Sequence, residues 1–248
     1  MYRKRWLIVS VVFFLVTIPI VFFSTSFLRC VWPQKVWAHK VNTLEKLDEA
    51  TRHFSGIELD IVFDEVTNSF EVNHPPDSSI HLLLSKYLEA GATHANCRYW
   101  LDMKNLTVSN YVQAASALAK CMQFAKLQAS NFYVESPYPE FLSEFQKFGF
   151  KTSFYLPTHL CEEKLENLEK EIATIQSKLK KYPCNFISFE YKDYLIHSSY
   201  FPMQDKICWF TAFGSSNKVT SQFLLYQILC DDKVKVLLVP FKARFGNR

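Results

Sequence analysis

The chain has 248 residues, of which 49% are hydrophobic and 16% aromatic, and only five are glycine. This composition is typical of a packed globular protein and argues against disorder or low-complexity repeats. The formal charge of +4 comes partly from both ends of the chain. No basic patch stands out, so we expect no nucleic-acid partner.

The first element along the chain is a predicted membrane segment. No residue from Trp6 to Leu28 is charged, and the run is about as long as a helix needs to cross a bilayer's hydrocarbon core. Its length, the bulky Phe22 and Phe23, and the lack of a clear small-x-small cleavage site favour an uncleaved signal anchor. Removal of the run as a signal peptide is the alternative, and it would give a secreted protein.

The charges around this run predict its orientation. Arg3, Lys4 and Arg5 precede it, and the positive-inside rule then places the N-terminus in the cytoplasm. The predicted parts are a cytoplasmic N-terminus at residues 1–5, a transmembrane helix at 6–28, a linker at 29–34 and one domain at 35–248. That domain would lie on the periplasmic, lumenal or extracellular side, with the membrane as a partner through the N-terminal helix.

Eight short β-rich runs alternate with amphipathic segments along the rest of the chain. This alternation is typical of βα units around a parallel sheet, and eight units predict a (β/α)₈ TIM barrel. The predicted strands are Lys35–His39, Gly56–Phe63, Arg98–Met103, Asn131–Glu135, Lys151–Leu156, Asn185–Glu190, Lys206–Ala212 and Lys233–Pro240.

The outer layer is less regular than the strands. Tyr191–Asp205 has no clear helical pattern, and Phe241–Arg248 is too short for a closing helix. Whether the barrel has its last outer helix is therefore open. If no helix packs there, another part must cover the apolar sheet, because its exposure to water is costly. The candidates are the Arg29–Gln34 segment, the membrane surface or another subunit. Whether the protein forms an oligomer is therefore also open.

Several helix ends carry capping signals. Asn42 with Glu45 three residues later resembles a capping box, and Gly149 follows the Pro139–Phe148 helix as a C-cap residue should. The longest helix, Glu162–Tyr182, has an apolar stripe that fits either a coiled-coil seam or an outer helix on the sheet. We favour the outer helix, because fewer than three heptads are present.

The second strand carries two acidic side chains on one face. Side chains alternate along a strand, so Glu58 and Asp60 point to one side while Ile57 and Ile61 point to the other. Near the C-terminal end of a barrel strand, two buried like charges repel, and a cation resolves the conflict. Oxygen ligands suit Mg²⁺ or Ca²⁺ better than Zn²⁺. A solvated acidic edge is the alternative.

The next predicted strand repeats this geometry. Asp102 and Lys104 share one face, again at the C-terminal end of a strand. Asp102 can complete a metal site of three carboxylates, and the ammonium group of Lys104 can hold a phosphate oxygen. An ordinary surface ion pair of little energetic value is the alternative.

Two histidines are placed to flank the mouth of the barrel, where the C-terminal ends of the parallel strands lie. His39 ends the first strand, and His74 opens a loop shortly after the second. Cleavage of a phosphodiester needs a base for the attacking hydroxyl and an acid for the leaving oxygen, and two imidazoles can supply them. A structural role is the alternative for each histidine taken singly. Asn42 could bind substrate at the site or cap a helix.

Later strand ends offer further residues for the mouth of the barrel. Glu135, Tyr155, Glu190 and Trp209 end the fourth to seventh predicted strands, and barrel enzymes draw site residues from several strands. Packing in the core or at the rim explains each of them equally well.

The cysteines are widely spaced and form no C-x-x-C pair, which argues against structural zinc. They are Cys30, Cys97, Cys121, Cys161, Cys184, Cys208 and Cys230. Buried thiols are favoured over a disulfide framework, because a domain of this size needs no covalent staples.

Four motifs together resemble those of glycerophosphodiester phosphodiesterase-like proteins. They are A-H-K-V-N, G-I-E-L-D, N-H-P-P and L-D-M-K, in this order, within Trp37–Lys104. The first and last also resemble the H-x-V-N and D-x-K motifs of the sphingomyelinase D/phospholipase D toxins. The H-P-P that follows E-x-D is most similar to the menorin family.

The resemblance implies a barrel fold, one divalent cation at Glu58, Asp60 and Asp102, and acid/base histidines at His39 and His74. In related enzymes a neighbouring substrate hydroxyl is commonly the first nucleophile, which gives a cyclic phosphate. The extra subdomain of the glycerophosphodiesterases and the cysteine-bearing loop of the toxins are both missing from this sequence. The identity of the substrate is therefore open.

Two functions follow from these features. The first is a metal-dependent phosphodiester hydrolase or lyase that acts on glycerophosphodiester or lysophospholipid-type substrates at a membrane surface. The second is a menorin-like binding or adhesion module in which an inherited site is not catalytic, because fold and inherited residues do not guarantee activity. A purely structural membrane protein is disfavoured, since it leaves the acidic pairs on two strands unexplained.

Overall fold

The structure is a computed structural model that describes residues 24–93, 96–211 and 218–243. The described residues form nine strands: β1 (Val36–His39), β2 (Gly56–Asp64), β3 (Ser69–Val72), β4 (Arg98–Met103), β5 (Phe132–Ser136), β6 (Lys151–Tyr155), β7 (Phe186–Glu190), β8 (Lys206–Trp209) and β9 (Val234–Pro240). Eight of them match the predicted strands to within a few residues.

The same residues form eight α-helices, most of them between consecutive strands. They are α1 (Thr25–Val31), α2 (Leu44–Thr51), α3 (Leu84–Gly91), α4 (Tyr111–Phe124), α5 (Pro139–Lys147), α6 (Leu165–Lys181), α7 (Tyr194–Tyr200) and α8 (Lys218–Cys230). Helix α6 turns Ile172 and Ile175 into the core, as expected of an outer helix. Gly149 has a φ of +85° just after α5, which confirms its predicted role at the helix end.

The eight parallel strands close into a TIM barrel. Their order is β1-β9-β8-β7-β6-β5-β4-β2, and β1 pairs in parallel with both β9 and β2, which closes the ring. The remaining strand, β3, pairs antiparallel with the C-terminal part of β2, at the end of the barrel that we call the upper end. This strand was not predicted. Because this hairpin returns the chain to the barrel mouth, it determines where the loop with His74 begins.

Aromatic side chains fill the lower part of the barrel. Trp37, Trp100, Tyr133 and Phe186 belong to one buried interior cluster. Gly56 makes room for it, because a Cβ atom at this position would lie 2.2 Å from the indole ring of Trp37. Burial of each large apolar side chain stabilises the fold by roughly 2 kcal/mol. The polar site is therefore confined to the upper end of the barrel.

Helix α1 belongs to the outer layer of the barrel. Leu28 is fully buried in the core between the helices and the sheet. The guanidinium of Arg29 donates to the backbone carbonyl of His53 after α2, at 3.1 Å. On the other side, the ring of Trp32 packs edge-on against Tyr226 of α8, with 5.8 Å between centroids. Helix α1 thus contacts both neighbouring parts of the outer layer.

The sequence left open whether a last outer helix follows the eighth barrel strand. The described residues after β9, numbers 241–243, form no helix. Covering of the barrel by the segment Arg29–Gln34 was one of the predicted alternatives. The structure has α1 in this region, which begins earlier, at Thr25, and overlaps the predicted linker 29–34 only at residues 29–31. The prediction of no clear helix after the sixth strand was wrong, because α7 follows β7. His197 of α7 is fully buried against Phe189, with 4.4 Å between ring centroids, so tertiary packing stabilises this short helix.

The predicted capping box at Asn42 was also wrong. The N-cap residue of α2 is Thr43, whose side-chain oxygen accepts a hydrogen bond from the backbone N–H of Lys46. The side chain of Asn42 is consequently free to bond elsewhere.

The predicted cytoplasmic residues 1–5 and residues 6–23 of the predicted transmembrane helix lie outside the described residues. The end of that predicted helix lies in α1, where Leu28 is buried in the core. Within the described ranges, no helix is both long and apolar enough to cross a membrane. All seven cysteines fall in these ranges, and all are free thiols there.

Candidate metal centre

Three carboxylates converge at the upper end of the barrel. One oxygen each of Glu58, Asp60 and Asp102 lies within 4.8 Å of the other two. Asp60 of β2 is in register with Asp102 of β4, and the strand alternation directs Glu58 to the same interior side. Ile57 and Ile61 pack in the outer core, as predicted. The acidic side chains therefore form a candidate metal site.

The backbone and neighbouring side chains fix these carboxylates in place. Glu58 accepts a 2.7 Å hydrogen bond from the backbone N–H of Lys40, which has a left-handed backbone conformation with φ 57°. Asn42 donates to the carboxylate of Asp60 at 2.7 Å and accepts from the backbone N–H of Asp60 at 3.0 Å. Of the two predicted roles of Asn42, the structure thus shows contact with the site.

Lys104 bridges two of the three acids. Its ammonium group lies 2.8 Å from an oxygen of Asp60 and also donates to Asp102. Burial lowers the pKa of Lys104, but the carboxylates of Asp102 and Asp60 outweigh it, so the pKa is raised overall. Lys104 is therefore a permanently charged partner for the acidic cluster.

The acids are held in an environment that disfavours their ionised form. Burial, followed by the charges of Asp60 and Asp102, raises the pKa of Glu58 well above its ordinary value. Burial also raises the pKa of Asp102, although Lys104 opposes the shift. A divalent cation would offset the repulsion and the desolvation of these groups. Since the three groups offer only oxygen ligands, they fit Mg²⁺ or Ca²⁺.

The two predicted catalytic histidines differ in position. His39 Nε2 lies 3.6 Å from a carboxylate oxygen of Glu58, and the ring lines the pocket. Burial and then the charge of Lys40 lower the pKa of His39 to about 4, so the imidazole is neutral near pH 7. His74 does not line the pocket, and its Nδ1 is 3.7 Å from Asp77.

The loop that carries His74 is nevertheless anchored beside the cluster. The backbone N–H of Asn73 donates to the carbonyl of Asp60 at 3.1 Å. His74 is also close enough to Asp102 to act to lower the pKa of this carboxyl group. His74 thus stands at the rim of the site, while His39 belongs to its wall.

The carboxylates open into a pocket of about 220 Å³. We call His39, Glu58, Asp60, Asp102 and Lys104 the cation wall. Other polar and aromatic side chains complete the lining of the same pocket, and we call them the far wall: Glu135, Tyr155, Trp209 and Thr211. Glu190, the fourth predicted mouth residue, does not line it but accepts a 3.2 Å hydrogen bond from the hydroxyl of Thr211.

The far wall has its own buried acid. Glu135 is 2% exposed, and its register partners are Asp102 on one side and Ser153 on the other. Burial and the charge of Asp102 raise the pKa of Glu135 well above its ordinary value. Burial, followed by the charge of Glu135, also raises the pKa of Tyr155, to about 12. Four carboxyl groups therefore share one small pocket.

Sequence reasoning missed four residues that line the pocket: Lys40, Trp100, Thr211 and Leu238. It also missed a support outside the pocket. Asn105 bonds through its side chain to both the N–H and the carbonyl of Phe63, at 2.9 and 2.7 Å, which joins the ends of β2 and β4. Strand alternation could have found Trp100, two residues before Asp102. No local signal marks Thr211 or Asn105.

Comparison with known proteins gives similarity in fold but not in sequence. No protein-family model matches the chain, and no curated protein matches it either. Several solved structures are similar. A glycerophosphodiester phosphodiesterase from Parabacteroides distasonis is 15% identical, with 83% of this chain and 92% of that chain covered and a TM-score of 0.59.

Two further structures show the same similarity. A phosphodiesterase from Oleispira antarctica, solved in complex with the product sn-glycerol-3-phosphate, is 11% identical, covers 85% of this chain and 94% of its own, and has a TM-score of 0.58. A glycerophosphodiester phosphodiesterase from Thermotoga maritima is 14% identical, with coverages of 82% and 92% and a TM-score of 0.51. At these identities the comparison shows the fold: the chain is a TIM barrel similar to those of glycerophosphodiester phosphodiesterases.

Proposed function

We propose that this protein is a metal-dependent phosphodiesterase that acts on glycerophosphodiester or lysophospholipid-type substrates. The observation that carries the proposal is the convergence of Glu58, Asp60 and Asp102 in one pocket with Lys104 and His39. The pocket lies at the C-terminal ends of barrel strands, where TIM-barrel enzymes have their active sites. The similarity to glycerophosphodiester phosphodiesterase barrels supports the same reaction class.

The carboxylates of Glu58, Asp60 and Asp102 would hold one Mg²⁺ or Ca²⁺ ion. When bound, the ion supplies Lewis-acid polarisation of a phosphoryl oxygen. The backbone N–H of Lys40 and the amide of Asn42 keep Glu58 and Asp60 aligned for this role. Lys104 is placed to bind a second phosphate oxygen, because its ammonium group already lies among the acids.

The histidines would exchange protons with the substrate. His39 is positioned to accept the proton of the attacking hydroxyl, since its ring lines the pocket beside Glu58. His74, at the rim, would protonate the leaving oxygen. A neighbouring hydroxyl of the substrate as first nucleophile would give a cyclic phosphate, which makes the first step a lyase reaction.

The position at a membrane is part of the same proposal. The apolar run from residue 6 up to α1 would anchor the protein, with residues 1–5 in the cytoplasm and the barrel on the periplasmic, lumenal or extracellular side. The last part of the predicted span 6–28 lies in α1 and belongs to the barrel, because Leu28 is buried in the core. Lysophospholipid-type substrates would then be available at the surface of the same bilayer.

A second candidate is a menorin-like binding or adhesion module. Two observations favour it: Lys104 by itself neutralises part of the acidic cluster, and His74 points to Asp77 at the rim and not into the pocket. In such a module the site would bind a ligand without turnover.

The deciding experiment measures turnover by the full-length protein in detergent or vesicles. A panel of glycerophosphodiesters and lysophospholipids is tested with Mg²⁺ or Ca²⁺ and then with EDTA. We expect metal-dependent release of the alcohol, and loss of at least about 100-fold in kcat/KM for Asp60→Asn, because the substitution removes a charged ligand. Asp48→Asn is the control, since Asp48 is exposed and pairs with Arg52 on α2.

The two candidates give different results. Turnover that persists in EDTA would exclude the metal-dependent mechanism, and no turnover on any substrate would exclude the phosphodiesterase. Retained cation binding without turnover would support the binding module instead. If the wild-type protein neither binds the cation nor turns over any substrate, the metal site itself is excluded.

A further inference from the structure

The lower end of the barrel carries a large excess of positive charge. We call this end the base, and define it as the segments that run from the last residue of each outer helix to the first residue of the strand that follows. Nine Lys and Arg residues and only three Asp residues lie in the described part of these segments. Of the nine, only Lys206 is buried. The base therefore attracts anions.

A pocket of about 380 Å³ opens at the base, between the first residues of several strands. Tyr133 and Phe186 of the interior aromatic cluster line it, together with Arg98 and Lys151. Arg98 and Lys151 are the first residues of β4 and β6, and each lies an even number of residues before a side chain that lines the upper pocket. Strand alternation therefore directs both cations into the barrel.

Arg98 and Lys151 have no acidic partner among the described residues. The guanidinium of Arg98 donates to the side-chain oxygen of Gln34 at 3.1 Å, and the ammonium group of Lys151 lies 5.0 Å from the centroid of the Tyr133 ring. A guanidinium has five N–H donors and an ammonium group has three, so most of these donors are available to a ligand. Together the two groups suit a phosphate, which Arg binds through two parallel hydrogen bonds and Lys binds as a point charge.

The other charges that line this pocket largely compensate one another. Lys235 Nζ lies 3.6 Å from a carboxylate oxygen of Asp205. Lys35 donates to two backbone carbonyls after α8, at 2.9 and 2.8 Å. Burial lowers the pKa of Lys35, and nearby aspartates, among them Asp232, raise it. The uncompensated positive charge of the pocket is therefore that of the two inward-facing cations on β4 and β6.

Large apolar side chains are exposed on the same base. Phe124 at the end of α4 is 74% exposed, Phe148 just after α5 is 44% exposed, and Met203 between α7 and β8 is 78% exposed. Aromatic and apolar side chains mixed with Lys and Arg are typical of surfaces that lie in the interfacial region of a bilayer. A soluble anion would leave these side chains in water, whereas a membrane surface would bury them.

The path of the chain leads to the same partner. Arg29, in the last turn of α1, bonds to the backbone carbonyl of His53, which belongs to the base. Helix α1 has seven residues and is therefore about 10 Å long. The first described residue, Ser24, is thus no more than a short helix away from the base. Because the apolar run proposed as the anchor precedes α1, a bilayer that holds this run lies close to the base.

We propose that the base is a docking surface for a bilayer that contains anionic phospholipids, and that Arg98 and Lys151 bind the phosphate of one head group. This inference goes beyond the proposed function, because it requires no catalysis. The mouth of the barrel then faces away from the bilayer, and substrates enter the upper pocket from the aqueous side. For the proposed phosphodiesterase, a lysophospholipid has to leave the bilayer before it reaches the carboxylates.

Hydrogen exchange of the full-length protein in nanodiscs tests this orientation. Nanodiscs of phosphatidylcholine alone are compared with nanodiscs in which part of the lipid is phosphatidylglycerol. We expect amide exchange in the base segments 125–131 and 148–150 to slow by at least about fivefold in the anionic nanodiscs, which is the effect of one basic residue at an anionic surface. The loop 73–83 at the mouth should exchange at the same rate in both.

Variants assign the protection to the cations of the base. Arg98→Gln combined with Lys151→Gln should bring exchange in the anionic nanodiscs to within about twofold of the neutral ones. If this double variant does not fold, Lys126→Gln combined with Lys181→Gln serves instead, because both lysines are exposed on the base. It should reduce the protection in the same direction.

The matched control is Lys86→Gln combined with Lys170→Gln. Both lysines are 71% exposed on outer helices, outside the base, so the protection should stay unchanged. Equal exchange in the two kinds of nanodisc, or protection of the loop 73–83 in place of the base, would overturn the docking surface. Equal protection by inorganic phosphate in detergent would also overturn it, and would assign a soluble anion to the base. Since no readout depends on turnover, failure of the proposed phosphodiesterase and failure of the docking surface remain distinguishable.

Discussion

The cation wall and the far wall of the pocket differ in how their polar groups are satisfied. On the cation wall, the backbone of Lys40 and the side chains of Asn42 and Lys104 bond to the carboxylates. On the far wall, an oxygen of Glu135 and the hydroxyl of Ser153 have no partner among the described residues. The carboxylates of one wall are bonded within the described protein, and part of the polar groups of the other wall are not.

For the proposed phosphodiesterase, this difference would divide two tasks between the strands of the barrel. A phosphate and its cation are the same in every such substrate, so a fixed set of bonded carboxylates would suit them. The alcohol of the substrate varies, and the groups of the far wall would be satisfied only when a ligand is bound. Such unsatisfied groups lower the free energy of unfolding of the ligand-free protein.

The largest effect should come from a substitution in the cation wall. We expect His39→Asn to lower kcat by about 1,000-fold, because it removes the group that would accept the proton of the attacking hydroxyl. Cation affinity should change little, since His39 is not one of the three carboxylates. The measurements are steady-state kinetics with Mg²⁺ and calorimetric titration of the metal.

His81→Asn provides the matched control. His81 is 91% exposed and lies near Glu71, away from the pocket, so its replacement should leave both quantities unchanged. A normal kcat in His39→Asn would show that the cation wall lacks the base we assign to it. The contrast with the far wall, to which we assign no proton transfer, would then be lost.

The next effect tests whether the cation wall is preorganised. Asn42→Ala removes both hydrogen bonds to Asp60, so the carboxylate should lose its fixed orientation. We expect cation affinity to fall by about 30-fold, as for other groups that orient a metal ligand. Calorimetric titration with Mg²⁺ measures it. Asn167→Ala, on the exposed face of α6, is the control.

The same two walls differ in how far the sequence predicted them. The cation wall comes from short motifs within Trp37–Lys104, and strand alternation alone placed Glu58 with Asp60 on one face. Its neighbours in space are also neighbours in sequence, on β1, β2 and β4. The far wall comes from β5, β6 and β8, and only their strand ends marked Glu135, Tyr155 and Trp209 as candidates.

The errors have physical causes of the same kind. Asn42 and Glu45 fit a local capping pattern, but Thr43 caps the helix and Asn42 bonds to Asp60, eighteen residues away. Helix α7 has only seven residues, and its buried His197 packs on β7, a contact that no local pattern encodes. Where local propensity and tertiary contact compete, the tertiary contact decides.

A smaller effect concerns the internal counter-ion of the cation wall. Lys104→Met leaves Asp60 and Asp102 without their ammonium partner, so we expect the free energy of unfolding in EDTA to fall by about 2 kcal/mol. Added Mg²⁺ should stabilise this variant more than the wild-type protein, because the ion no longer competes with Lys104. Urea denaturation with EDTA and with Mg²⁺ measures both effects.

Lys147→Met is the control for loss of an exposed lysine, since Lys147 pairs with Glu144 on the surface of α5. If Mg²⁺ stabilises Lys104→Met and wild type equally, Lys104 does not compete with the cation. The cation wall would then owe its order to Lys40 and Asn42 alone.

The smallest effect should have the opposite sign and lie in the far wall. Glu135→Gln should raise the free energy of unfolding of the ligand-free protein by about 1 kcal/mol at pH 7, because a buried carboxyl with an unpartnered oxygen is replaced by a neutral amide. The pKa of Glu135 in the folded state is raised above its ordinary 4.5. Its destabilising effect is therefore absent below pH 4.5 and grows as the pH rises toward the folded-state pKa.

The gain from Glu135→Gln should accordingly be larger at pH 7 than at pH 4.5, as measured by urea denaturation at both values. Glu190→Gln is the matched control, because Glu190 is bonded to Thr211 and lies 3.6 Å from Lys192, so its loss should not stabilise the protein. A destabilised Glu135→Gln would mean that the carboxyl group is already satisfied in the free protein. The two walls would then not differ in how their carboxyl groups are satisfied.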